Sequence, residues 1–336
     1  MCKADGKMVK LDKMQTDEPK AGVDLVLGAD RVLRDKGTLR LKWLAIFCVL
    51  DSVGARQTAS QRDAAVRGEL ARLERRGWVS RLQITQAQLE CAASQVQSQN
   101  LEDLRILEML LLAARHEGNR TYVELGAYDG KMYSNTWVLE RCFGWHGLLI
   151  EGSPENFFKL RKNRRHHNNV LRQLAVCLAG SEGYVNFSSR GSAVSGDDAA
   201  MSSSFKRLWG HRQGANHVRV PCQPLSQIMR EAGMPTAAFL SLDVEGAEHK
   251  VITTVDPKAF RAILVEMDGH DPHKDYRVHK TIIQAGLLPP FRSLCREAHC
   301  GGSPPVRMEM ASNEIYLSPG VMSEHTLAGH EHTLSQ

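Results

Sequence analysis

The chain has 336 residues, enough for one large domain with an extension, and its 42% hydrophobic and 24% charged residues exclude global disorder. A net charge of +5 is mild, and the densest basic run (Arg161, Lys162, Arg164 and Arg165 with His166 and His167) lacks interleaved aromatics, so it reads as a solvated helix end and no nucleic-acid partner is expected. Eight cysteines without a Cys-x-x-Cys pair exclude a small disulfide-framed scaffold and the common structural zinc site.

Residues 1–59 read as a flexible polar arm with one apolar segment, Trp43 to Leu50. That run is far shorter than the roughly 20 residues a membrane-spanning helix needs, so no stable span is expected. Basic residues before it and Val53-Gly54-Ala55 after it resemble a secretory signal around 43–55; a buried or amphipathic helix and an organelle transit segment are the alternatives, and without a signal the protein would be cytoplasmic. Residues 60–99 are rich in Ala, Arg, Gln, Glu and Leu and contain no proline, which predicts a helical extension. Asn100 followed by Asp103 marks a helix start, and Leu101, Leu104, Leu107 and Leu111 supply a helical stripe.

After Gly118 short apolar runs alternate with helical stretches. Tyr122–Leu125, Gly147–Ile150, Val170–Val176, Phe239–Asp243 and Ile263–Met267 read as buried strands of a parallel sheet with helices on both faces. Gly180–Pro221, rich in Ser and Gly, breaks this rhythm as an insertion or lid with short strands at Tyr184–Phe187 and Val218–Val220. Cys295, His299 and Cys300 sit in a Gly- and Pro-rich stretch and read as loop thiols or one disulfide rather than a metal site. The domain expected over 100–319 is followed by a His-rich tail, 320–336, read as disordered.

Ligands of an open α/β sheet sit beyond the carboxyl ends of its strands, so chemistry is sought there. The first strand ends in Glu124-Leu125-Gly126-Ala127-Tyr128-Asp129-Gly130, where Gly126 permits a tight turn and Gly130 lets the chain leave without a Cβ clash. Tyr128 and Lys131 occupy the later glycine positions of the dinucleotide fingerprint, which disfavours a nicotinamide oxidoreductase, and no P-loop is present. Glu151 ends the second strand about 20 residues on, where a carboxylate can accept both hydroxyls of a ribose. Asp243, Glu245 and Glu248 crowd the end of a later strand around Gly246; their repulsion can equip one as a general base, and oxygen ligation of a divalent metal is the alternative. His249 is a weaker base.

Glu124 to Gly130, Ser134-Asn135-Thr136, Leu139-Glu140, Gly144-Trp145-x-Gly147-Leu148, Ile150-Glu151-x-x-Pro154, Asn163-Arg164, Ala175-Val176-Cys177, Val220-Pro221-Cys222-x-Pro224-Leu225, Leu240 to Glu248 and Asn313-Glu314-Ile315-Tyr316 together resemble the FkbM-type methyltransferase family over roughly Thr121 to Leu317. The resemblance implies a Rossmann-like class I methyltransferase sheet of seven strands, S-adenosylmethionine as cofactor, and transfer usually to an oxygen. By analogy Glu124, Gly126 and Gly130 line the cofactor, Glu151 binds its ribose and Asp243 faces the sulfonium and the acceptor, a hydroxyl of a small molecule or glycan. No metal ligand is assigned. Tyr128 departs from the glycine that many methyltransferases carry. A catalytically inactive binding or scaffold protein of the same fold is the rival reading.

Overall fold

The computed structural model describes residues 2–4, 7–9, 59–165, 168–181, 183–188, 192–209, 217–267, 269–290 and 313–334. They divide into two units, 1–64 and 65–336. In the first, β1 (Cys2–Ala4) pairs antiparallel with β2 (Lys7–Val9). The segment 43–55, with most of the arm, and Cys295, His299 and Cys300 lie outside the described residues. No helix among the described residues is long and apolar enough to cross a membrane.

Helix propensity over 60–99 is realised as α1 (Ala59–Arg75), α2 (Trp78–Arg81) and α3 (Gln86–Gln95). Gly77, at φ 70°, separates the first two, and Thr85 opens α3 through a capping box with Gln88. Leu73, Trp78, Leu89 and Ala92 from these helices enter the same hydrophobic cluster as Leu107, Leu110, Tyr122 and Phe239. The extension therefore shares the core of the sheet. The helix start expected at Asn100 shifts to Leu101, whose φ is 61°, because the Asn100 backbone N–H is drawn to Glu102 Oε2 at 2.7 Å. Two helices follow, α4 (Glu102–Arg105) and α5 (Leu107–Glu117).

The remaining strands in chain order are β3 (Thr121–Leu125), β4 (His146–Ile150), β5 (Val170–Arg172), β6 (Ala175–Val176), β7 (Tyr184–Ser188), β8 (Gly196–Asp197), β9 (His217–Gln223), β10 (Ala237–Leu242), β11 (Phe260–Glu266) and β12 (Asn313–Leu317). Six of them form a sheet in the order β12-β11-β10-β3-β4-β5, parallel except for β12. Successive side chains enter opposite cores: Tyr122, Leu149, Phe239 and Leu264 on one face, Val123, Leu148, Leu240 and Val265 on the other. Both faces are covered, as a parallel sheet requires. The covering helices include α6 (Trp137–Phe143), α7 (Pro154–Arg164) and, after α8 (Ser203–Leu208) of the insertion, α9 (Leu225–Glu231), α10 (Glu248–Ile252) and α11 (Pro272–Gln284).

Three expectations are corrected. The seventh strand is reduced, among the described residues, to one antiparallel bridge between Leu288 and Leu317, with Leu288 N–H donating to Leu317 O at 2.9 Å. The single strand expected over Val170–Val176 is two, since the chain leaves the main sheet after Arg172 and enters a second sheet, ordered β6-β9-β7-β8, at Ala175. The tail is not disordered through 320–334: α12 (Pro319–Leu334) buries Val321 completely, pairs Glu324 with Arg115 at 3.0 Å and stacks His325 on Trp78 at 5.5 Å. Val321 and Met322, both packed on the core, and these polar contacts dock a segment whose composition alone looks solvated.

Cys91–Cys142 and Cys177–Cys222 are disulfides, with Cα separations of 5.6 and 5.5 Å. The first ties α3 to α6. The second closes the insertion at its base, where β6 pairs with β9.

Candidate active site

Strand register builds the site. Leu125 stands opposite Ile150 on one side and Leu242 on the other, and Leu242 opposite Val265. The next residue of each strand therefore falls in one row across the sheet edge: Glu266, Asp243, Gly126 and Glu151. Chain order reverses between β3 and β10, and a crevice at such a switch point is where open α/β sheets take ligands.

Gly126 is required by a close approach. A Cβ there would lie 1.7 Å from the Asp243 carbonyl oxygen, and φ is +78°. The missing side chain thus lets the turn after β3 touch the end of β10, where Asp243 N–H donates to Leu125 O at 3.2 Å. Gly130 is crowded by α7, since an added Cβ would meet Leu160 at 2.5 Å and Arg164 at 2.9 Å.

Glu151 is buried, with Oε2 accepting from Tyr128 N–H at 2.9 Å and Oε1 from Ser153 N–H at 2.7 Å. Burial pushes its carboxyl up to about 7, against the pull of those two donors. Each carboxylate oxygen has acceptor capacity beyond one hydrogen bond, so the group fits a ribose diol.

The acids at the other end of the row divide by role. Asp243, Glu245 and Glu266 bring carboxylate oxygens within 4.8 Å of one another, a donor set that can take a proton or hold a divalent cation. Glu245 has a left-handed φ of 56°. Burial, reinforced by the charges of Asp243, Glu245 and Glu248, holds the Glu266 carboxyl well above the usual range, and it hydrogen-bonds to Asp243. Glu248 faces away from this group: it is fully buried, its Oε1 accepts from Val244 and Gly246 N–H at 3.2 and 3.0 Å, and its Oε2 binds Lys274 Nζ at 2.6 Å. It holds the loop that presents the other two. His249 lies outside the cluster, its pKa lowered by burial and then by Arg277. Glu266 was missed by sequence reasoning although its strand was expected, because its alignment with Asp243 exists only in the β10–β11 register.

Glu124 is brought to a different place. Its carboxylate is buried among Ser134 Oγ at 2.9 Å, Thr136 Oγ1 at 2.6 Å and Asn135 N–H at 3.1 Å. Alternation along β3 explains this, since Glu124 points to the face of Tyr122 and not to the crevice. The insertion reaches the acid loop from the other side: Lys250 pairs with Asp197, and a Cβ on Gly246 would meet Ala200 O at 2.9 Å.

Residues 124–286 match the methyltransferase FkbM domain. The match begins at Glu124 and contains every residue of the row, so this FkbM-type segment carries the whole candidate site and supports a methyltransferase. Among solved structures, the methyltransferase FkbM from Methylobacillus flagellatus KT is similar at 11% identity and a TM-score of 0.36, covering 69% of this chain and 58% of its own. No curated protein matches the chain.

Proposed function

We propose that the chain is an S-adenosylmethionine-dependent methyltransferase acting on a hydroxyl of a small molecule or glycan. The row Glu266, Asp243, Gly126 and Glu151 at one sheet edge carries this reading. S-adenosylmethionine, when bound, supplies a methyl group already activated by the sulfonium. The protein then has two tasks: to align the acceptor and to take its proton. In this reading Glu151 accepts the ribose hydroxyls, the Gly126–Gly130 turn borders the cofactor, and Asp243, with Glu245 beside it, receives the hydroxyl proton. Glu266, its carboxyl raised by burial and by the neighbouring acids, hydrogen-bonds to Asp243.

Binding of S-adenosylhomocysteine should depend on pH through Glu151. Ribose hydroxyls donate to the ionised carboxylate, whereas the free carboxyl titrates at about 7. Affinity should therefore be full above pH 8 and fall as pH drops through 7, approaching roughly tenfold per unit below it. Glu151→Ala should weaken binding by on the order of 1–3 kcal/mol and flatten the profile. Calorimetric titrations from pH 5.5 to 8.5 provide the check. A pH-independent wild-type affinity, or a folded mutant that binds equally well, would remove Glu151 from the cofactor site.

The two disulfides support an oxidising compartment and the secretory reading of 43–55. Peptide mapping under non-reducing conditions should recover Cys91 linked to Cys142 and Cys177 to Cys222. Free thiols at these four positions in protein secreted from cells would contradict it.

A further inference from the structure

The motifs Ser134-Asn135-Thr136, Leu139-Glu140 and Asn163-Arg164 lie apart in sequence and outside the row of strand ends, yet they meet at one buried side chain. Arg164, the last residue of α7, is fully buried. Such a burial is tolerated only when the guanidinium's five N–H donors find acceptors. Here they do: Nε donates to Gly130 O, one terminal nitrogen to Tyr122 Oη at 3.0 Å and to Glu140 Oε2, the other to Ser134 Oγ at 2.7 Å and Thr136 Oγ1 at 3.1 Å. The two hydroxyls pass the interaction on by donating to Glu124, which also accepts from Asn135 N–H and lies 3.6 Å from the guanidinium itself. Asn135 Nδ2 reaches Ser241 Oγ at 3.1 Å, two residues before Asp243. Beside this, Asn163 Nδ2 donates to Asp129 O at 2.7 Å.

We infer that Arg164 is a positioning residue: it clamps the exit of the Gly126–Gly130 turn and, through Ser134, Thr136 and Asn135, sets that turn against the strand bearing Asp243. The inference rests on the cofactor reading above. The clamp needs a planar fork. A lysine keeps the charge but offers a compact ammonium that cannot reach Gly130 O, Glu140 and two hydroxyls together. The basic run expected to be a solvated helix end is therefore split, with Arg164 turned inward among residues that hold the site.

The test is calorimetric titration of the full chain with S-adenosylhomocysteine, well below the unfolding temperature, for wild type, Arg164→Lys, Thr136→Val and Val321→Ala. Val321 is buried in α12, far from the turn in sequence and outside the row, so its truncation lowers stability without touching the clamp. Arg164→Lys should weaken binding roughly tenfold or more and Thr136→Val roughly threefold, while Val321→Ala binds as wild type does. Wild-type affinity in Arg164→Lys overturns the clamp, as does an equal loss in Val321→Ala. If Arg164→Lys does not fold, Thr136→Val decides by the same criterion. Failure of the wild type itself to bind would sink the cofactor reading instead.

Discussion

Asp243→Asn should cut turnover by roughly 10²–10⁴-fold while leaving S-adenosylhomocysteine affinity within a few-fold of wild type, the range expected when a general base is lost and binding is spared. The substitution keeps the shape of the side chain but removes the charge that would take the acceptor's proton. Glu266→Gln should have a smaller effect, because an amide can still donate a hydrogen bond to Asp243. The measurement is a steady-state methyl-transfer assay once an acceptor is found. The three clustered carboxylates also suit a divalent cation, so the assay includes chelator. Activity lost to chelator and restored by Mg²⁺ or Mn²⁺ would reassign Asp243 from base to ligand. Normal turnover of Asp243→Asn, with no effect of chelator, would make the cluster structural.

Gly126→Ala should be strongly destabilising. The new Cβ would stand 1.7 Å from the Asp243 carbonyl oxygen, a backbone atom that cannot rotate away, and φ is +78°. Overpacking of about 1–3 kcal/mol adds to about 1–2 kcal/mol for a left-handed alanine, so the midpoint of thermal unfolding should fall by roughly 10 °C. Gly118 provides the control: its φ is also +78°, but nothing lies within 4 Å of its would-be Cβ. Gly118→Ala should therefore lose only the conformational part, about 1–2 kcal/mol. Equal losses in the two mutants would mean that the contact with Asp243 is not what demands glycine at 126. Because the same contact joins the turn to the acid cluster, Gly126→Ala protein that still folds should also bind S-adenosylhomocysteine poorly.

Much of the architecture was legible because it depends on local pattern. Runs such as Tyr122–Leu125 and Phe239–Asp243 are short, largely apolar and close on glycines and acids, which marks buried parallel strands and their carboxyl ends without any knowledge of partners. Gly126, Glu151 and Asp243 stand out in the sequence for the same reason, since each ends such a run. The insertion was visible as a break in composition, though the extent of its strands was not: β9 runs through His217–Gln223, beyond the Val218–Val220 core of the pattern.

Other features depend on which residues meet across long separations, and local pattern carries no record of that. Glu266 joins Asp243 through a strand register, and Glu124, an apparent cofactor residue, is turned by β-alternation into the Arg164 network. Glu248 is absorbed by Lys274, which lies on α11. Composition alone read 320–336 as disordered, but buried Val321, the Glu324–Arg115 ion pair and the His325–Trp78 stack dock the helix. The disulfides join cysteines 51 and 45 residues apart, pairings that spacing cannot select. The sequence by itself determined the central parallel strands, their order of appearance and the acids at their ends, because periodicity and turn chemistry act within a few residues. Tertiary structure alone decided which of those acids meet in one cluster and which are taken up by buried partners, because burial, register and the five-donor geometry of Arg164 arise only when distant segments are packed together.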